Sequence, residues 1–366
     1  MKKLLTLLLI FLIFSAGCEK KDFEFEMTTP QLQLREKYQK TGFKPIGKLK
    51  WALSTNSAIT SSPAVHNNSV VFANENGYVF ALNKSTGSKL WHSPLKINGK
   101  IGDASIEIDR NIVYIPSKNG TLYAINLSNG TIVWEYATDN KILSTPIFTK
   151  KYVIFSSTDG TIYFLNSKSG ILAYKIQHSI PLKSSPTLYN QRIYIGGLDG
   201  KIYVYSSQSK SPLWTYKTKG AITSKVIVAD NKLFVGSTDK TFYCIDAITG
   251  NLIWSKKFEG IITATSVVNK NKVFIGDNRG NIYAYKASTG ELLWKNKTNG
   301  AIKASLAYVD DVLYVASGDG FLYAINPVYG TILWKYGVGS PIETSPIINN
   351  GIVYFGAKNG KFYAIK

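Results

Sequence analysis

The sequence has little of what usually carries chemistry. Its 366 residues include two cysteines, Cys18 and Cys244, three histidines and two methionines. If Cys18 carries a lipid, Cys244 has no partner and no disulfide is available. His66, His92 and His178 fall at unrelated phases of the repeat that organises the chain, so they form no legible triad or metal set. No phosphate-binding glycine loop or catalytic motif is present. Acidic residues are scarce, 23 against 43 basic ones, for a net charge of +20. Long apolar runs are also missing. The one from Leu4 to Phe14 is too short to span a bilayer comfortably.

What the chain does have is tryptophan at a fixed interval. Trp51, Trp91, Trp134, Trp214, Trp254, Trp294 and Trp334 share one position of a repeat of about 40 residues, and Tyr174 fills the eighth slot. Turn glycines keep the same phase at Gly77, Gly120, Gly160, Gly200, Gly280, Gly320 and Gly360, with Lys240 as the exception. Asn-Gly or Asp-Gly between apolar runs is a strong hairpin signal, because those residues tolerate positive φ. The repeat of Trp294 reads as four short strands, at 263–268, 272–277, 281–286 and 291–295. Four strands per period predict a β-propeller blade. Trp51 lies in a fourth strand with no three before it, and the last repeat stops after its third. The predicted fold is therefore all-β, a single eight-bladed propeller over 47–366, with the N-terminal strand completing the last blade. Closure of this kind leaves no open seam of unpaired backbone groups.

Residues 1–17 read as an export signal, with Lys2 and Lys3 before the apolar run and Ser15-Ala16-Gly17 at its end. Small residues directly before Cys18 resemble a bacterial lipobox, although Ser15 stands where Leu is more usual. Cys18 is the expected lipidation site. Residues 18–46 read as a polar, lipidated tether with a short helix around Leu32–Tyr38. Without the signal lysines and the tether, a net charge of +17 remains on the propeller. Export argues against nucleic acid as the partner. Lys175, Lys217, Lys219, Lys256, Lys257, Lys295, Lys297 and Lys335 follow the Trp position, on the outermost strand, where lysine blocks edge-to-edge association. A basic rim also suits anionic head groups or an acidic partner.

Middle strands such as Leu122-Tyr123-Ala124-Ile125 are nearly continuous in apolar residues, as expected of strands buried on both faces. Small residues at third-strand centres, Ala124, Cys244, Ala284, Ala324 and Ala364, should keep blades close. Each Trp should dock between blades at the rim, a structural role. The pattern Ala-x-Asp/Asn-x-x-Thr-Gly-x-x-x-Trp, seen in full from Ala81 to Trp91 and with Asn129 or Tyr329 in the Thr place from Ala124 to Trp134 and Ala324 to Trp334, resembles the docking motif of the pyrroloquinoline-quinone (PQQ)-type propellers. Within that family, an exported single propeller is similar to the BamB lipoproteins of outer-membrane β-barrel assembly. The resemblance implies a non-catalytic scaffold on the periplasmic face of the outer membrane. It implies as partner the central protein of the barrel-assembly machinery.

Quinoprotein dehydrogenases share these repeats, so a quinone-dependent enzyme is the alternative reading. A surface-displayed structural lipoprotein is a third. The enzyme resemblance implies PQQ, a Ca²⁺ ion and commonly adjacent cysteines, and adjacent cysteines are absent. Between Trp51 and Trp334 the period departs from 40 only by three residues, between Trp91 and Asp103, so no blade carries a loop that would build a lid. No cofactor or metal site is expected. At one channel-lining position the blades offer Thr60, Asp103, Leu143, Lys183, Thr223, Thr263, Lys303 and Glu343, a mixed ring more like a solvated funnel than a site. A partner should touch positions that break the repeat. Leu198 stands at a hairpin tip where other blades are polar or small. Arg192, Leu198 and Phe258 are the expected partner face.

Overall fold

The computed structural model describes residues 46–366 apart from Asp103, Ser207 and Gln208. The signal segment, Cys18 and the tether with its expected helix lie outside the described residues. Eight four-stranded antiparallel sheets form the fold, and no helix occurs among the described residues. Blade 1 spans 64–96, blade 2 107–137, and blades 3 to 7 follow at 40-residue steps. Blade 8 takes three strands from the C-terminus and its fourth, Leu49–Ser54, from the N-terminus. That strand pairs antiparallel with Lys361–Ile365, so Leu49 lies opposite Ile365 and Ser54 opposite Lys361.

Successive strands alternate in direction, which sorts the connections onto two faces. Second-to-third-strand turns and the links between blades share one face, called upper here. First-to-second and third-to-fourth turns share the lower face, together with Gly47 and Lys366. First strands are shorter than the sequence suggests. In blade 6 the strand is Val267–Asn269 rather than 263–268. Residues before the first strands bond within their own sheet, as Ser144 Oγ does to the Ser156 carbonyl at 2.7 Å, and also sideways to neighbouring blades. Such a bond runs from the Ser305 N–H to Ser345 Oγ, at 3.0 Å.

The tryptophans dock as expected, and the structure shows against what. Indole Nε1 of Trp134, Trp254 and Trp294 donates to the carbonyls of Ser167, Ala287 and Pro327 in the next blade, at 3.3, 3.0 and 3.1 Å. Trp51 reaches Lys84 and Trp91 reaches Leu127 in the same way. Each ring lies flat on the glycine of the next blade's Thr-Gly-type turn. A Cβ on Gly290 would sit 2.7 Å from the Trp254 ring, and one on Gly170 2.6 Å from the Trp134 ring. Gly47 receives Trp334 in the same manner. Trp214 packs on Gly250, but its Nε1 has no partner. The equivalent carbonyl, Ala247, accepts from Tyr194 instead.

Blade 3 departs from this pattern as a set. Tyr174 replaces Trp, and Phe164 replaces the small residue opposite it, their rings stacked with centroids 3.9 Å apart. In blade 4 the turn facing Tyr174 carries Lys210 where the others carry glycine. Tyrosine is a smaller plate than tryptophan, so the demand for glycine in the facing turn is weaker. In blade 1 the three extra residues break up the outer strand. It is reduced to a single bridge from Lys89 to Leu82 and the short strand Leu95–Lys96, and Trp91 sits in a bend between them while remaining buried. Cys244 is buried opposite Trp254, with its thiol pushed up to about 12 by burial, as befits a core residue.

Candidate functional site

The central channel is lined by the segments leading into each first strand. Six of the eight expected ring residues, Leu143, Lys183, Thr223, Thr263, Lys303 and Glu343, border one cavity of about 470 Å³. Thr60 is buried instead, its Oγ1 without a partner. Asp103 lies outside the described residues. Glu343 is held by Lys303 Nζ and Lys358 Nζ, each at 2.9 Å. Burial pushes its carboxyl up, but the hydrogen bonds and charges of the two lysines outweigh that and hold it below the usual glutamate range. A carboxylate clamped by two ammonium groups is a poor cation ligand. Among the described residues no group of three or more His, Cys, Asp or Glu is placed to hold a metal ion.

A second channel ring escaped the sequence reading. Two residues past the ring position, in seven of the eight blades, stands a hydroxyl, and four of these accept a backbone N–H from the preceding blade. Ser105 donates to Thr145, Thr145 to Ser185, Ser305 to Ser345 and Ser345 to Ser62, at 2.8–3.0 Å. The signal was legible, since Ser or Thr recurs at this phase in every blade but one, followed by proline in four of them. Blade 5 carries Lys225 there, and neighbouring Ser224 Oγ and Thr223 Oγ1 have no partner. The ring ties blades together and presents no nucleophile–base pair.

Four acids of the upper face are committed to its turns. Asp159, Asp199, Asp239 and Asp319 each accept the hydroxyl of the tyrosine four residues on, at 2.7–2.8 Å, and a backbone N–H two residues on. Leu198 is exposed on this face as expected, beside exposed Pro181, whose carbonyl accepts the Leu198 N–H at 3.3 Å. The other two partner-face residues need correction. Phe258 is 5% exposed and packs on Tyr283 with ring centroids 4.2 Å apart, so it is core. Arg192 opens the strand Arg192–Gly196 and Leu198 follows its end, which puts the two on opposite faces. On the lower face the Arg192 guanidinium donates to the Ile248 carbonyl of blade 5, an inter-blade tie. Also missed were Val328 and Tyr329, 54% and 74% exposed on the lower face. Other blades carry a mostly polar pair in that turn, such as Ser85-Thr86 or Ser288-Thr289.

His178 stands on the same face, in the link between blades 3 and 4. Its Nε2 lies 2.9 Å from the Tyr205 hydroxyl, and Tyr203 meets its ring edge-on. Burial holds the imidazole below its ordinary value, with Asp199 pulling the other way. A base depressed in the fold takes up its proton more readily when unfolded. Its stabilisation is full above the ordinary histidine value and falls as pH drops through that value towards the folded one. The melting midpoint of the wild type should therefore fall more between pH 7.5 and 5.5 than that of His178→Gln. Equal slopes would show that His178 is not the titrating group.

Comparison with known proteins supplies the rest. The family model described as outer membrane protein assembly factor BamB matches residues 75–209, 175–301 and 278–366. The chain belongs to that family. A search of curated proteins finds no match. Among solved structures, BamB from Moraxella catarrhalis superposes with a TM-score of 0.74 at 19% identity, covering 87% of this chain and 97% of that one. The computationally designed Ika8 protein gives 0.78 at 23% identity, over 87% and 99% of the two chains. Quinohemoprotein alcohol dehydrogenase ADHIIG from Pseudomonas putida gives 0.75 at 13% identity, over 90% and 78%. These likenesses are of fold. The family places the chain with BamB-type propellers, which suggests an envelope-associated protein that binds others within a complex.

Proposed function

We propose that this BamB-family propeller is a non-catalytic, lipid-anchored scaffold that works in outer-membrane β-barrel protein assembly. Its partner would be the central protein of that machinery. The carrying observation is the family match, which runs almost unbroken through the propeller from residue 75 to 366. The absence of an inserted loop in the repeat and the clamped Glu343 support the same reading. Anchoring through Cys18 rests on the N-terminal sequence pattern, and the periplasmic face of the outer membrane on the likeness to the BamB family. The proposed docking patch is on the upper face, at exposed Leu198 and Pro181 beside the channel-lining Lys183. An apolar tip among polar ones gains by being covered.

The test is affinity purification of the lipidated protein, crosslinked in its own membranes, with partners identified by mass spectrometry. A barrel-assembly protein should dominate, and Leu198→Asp should lower its recovery about fivefold or more. Arg192→Glu, on the other face, should leave recovery unchanged. Recovery of only lipid or a small molecule would refute the scaffold reading. Full recovery with Leu198→Asp would refute the patch.

A further inference from the structure

The lower face carries a groove of about 800 Å³ between blades 6 and 7. Leu293, Tyr308 and Val328 supply its apolar lining, and Lys270, Lys272 and Lys286 its charge. Lys286 lies 3.9 Å from Glu291, and Asp311 accepts the Tyr308 hydroxyl. Lys270 and Lys272 have no ion pair among the described residues. A smaller hollow of about 260 Å³ continues from Lys270 and Asn271 towards blade 5, past Lys232. Exposed Tyr329 stands at the rim, in the turn that holds Val328. An apolar groove edged by unpaired lysines suits an extended segment that alternates apolar and acidic residues.

Besides Ile106–Asp109, which is already paired in blade 2, the chain has one such segment. Residues 22–27 read Asp-Phe-Glu-Phe-Glu-Met. Laid out as a strand, their period of two would put Asp22, Glu24 and Glu26 on one side and Phe23, Phe25 and Met27 on the other. The described chain starts on the same face as the groove, where Gly47 lies against Trp334 of blade 7. Residues 28–45 can span up to ~60 Å when extended, ample to reach a groove on the adjoining blade. Tethering also favours this occupant over a free one. A short covalent link presents its segment at an effective concentration on the order of millimolar, so a weak groove is filled from within the chain before a second copy competes.

We infer that Asp22–Met27 docks in the groove between blades 6 and 7, its carboxylates on Lys270 and Lys272 and its aromatic rings on Leu293, Tyr308 and Val328. Cys18 lies four residues before this segment. Docking would draw an anchored N-terminus to the lower face and turn the Leu198 face away from it.

Disulfide trapping tests this in the full mature chain carrying Cys18→Ser, independently of any partner or lipid. Cys244 is buried and does not compete. On mild oxidation, Phe25→Cys with Val328→Cys should close an intramolecular bridge about tenfold faster than Phe25→Cys with Leu198→Cys, as expected of a docked against an undocked site. Lys270→Glu with Lys272→Glu should slow the first pair about fivefold, the equivalent of two exposed ion pairs. Adding Asp22→Lys with Glu24→Lys should restore the rate, which a mere folding defect would not allow. Equal rates for the two cysteine pairs would overturn the inference. So would a rate indifferent to the charge reversals, or bridges only between chains at a rate rising with concentration.

Discussion

Gly290→Ala should lower the melting midpoint by about 5 °C, a large effect for one methyl group in a chain of this size. Two costs add. Gly290 holds φ at +69°, where an L-residue loses roughly 1–2 kcal/mol. The new Cβ would also lie 2.7 Å from the Trp254 ring, and such overpacking costs about 1–3 kcal/mol. The ring cannot step aside, because its Nε1 is bonded to the Ala287 carbonyl in the same turn. Blade 3 suggests how to separate the two costs. There Tyr174 stands in for Trp, and the facing turn carries Lys210 in place of glycine. In a Trp254→Tyr background, Gly290→Ala should therefore cost about 1–2 kcal/mol less than in the wild type, the range of coupling between touching residues. Thermal melts of the four proteins give the coupling. Strict additivity would mean that the ring does not set the need for glycine.

The same pairing explains what the sequence reading recovered. Trp and Gly recur because each blade must receive the plate of its neighbour, so a one-dimensional pattern reports a three-dimensional contact. Blade number, strand order and ring closure follow from that spacing alone. Side-chain exposure at the turns does not. Phe258 follows a strand end on the upper face, where an aromatic reads as exposed, yet Tyr283 of the next blade covers it. Arg192 and Leu198 are close in sequence, but a five-residue strand reverses the face between them. The hydroxyl ring in the channel repeats visibly, though its meaning needs the neighbouring blade's N–H. Blade 3 was legible as an oddity at Tyr174 alone, and only the stacked rings show that Phe164 belongs with it. Val328 and Tyr329 break the polar pattern of the third-to-fourth-strand turns, on the face opposite Leu198.

Deleting residues 46–55 should abolish the cooperative, monomeric fold, although it removes only one strand of thirty-two. That strand closes the ring. Its backbone pairs with Lys361–Ile365 from Leu49 to Ser54, extended by mutual bonds between Lys48 and Lys366. Trp51 spans the seam to Gly87 and Lys84 of blade 1. The Lys84 carbonyl also accepts the Tyr354 hydroxyl, at 2.8 Å, and its ammonium reaches Asn349 Oδ1 at 2.7 Å, both in blade 8. Losing about six strand hydrogen bonds at ~1 kcal/mol each and a docked tryptophan at ~3 kcal/mol approaches the whole stability of an ordinary domain. The exposed edge of Lys361–Ile365, mostly apolar, would then invite pairing between chains. Size-exclusion chromatography should show oligomers, and the melt should lose its single transition. Because Lys48 and Lys366 are bonded neighbours on one face, the strand can be moved. A permuted chain running from 56 to 366, then through an Asn-Gly turn into 46–55, should refold as a monomer melting within about 5 °C of the wild type. A deletion chain that stays monomeric with an unchanged melt would show that the ring does not need its closing strand. A permuted chain that fails to refold would show that the N-terminal position of the strand matters, and not only its pairing.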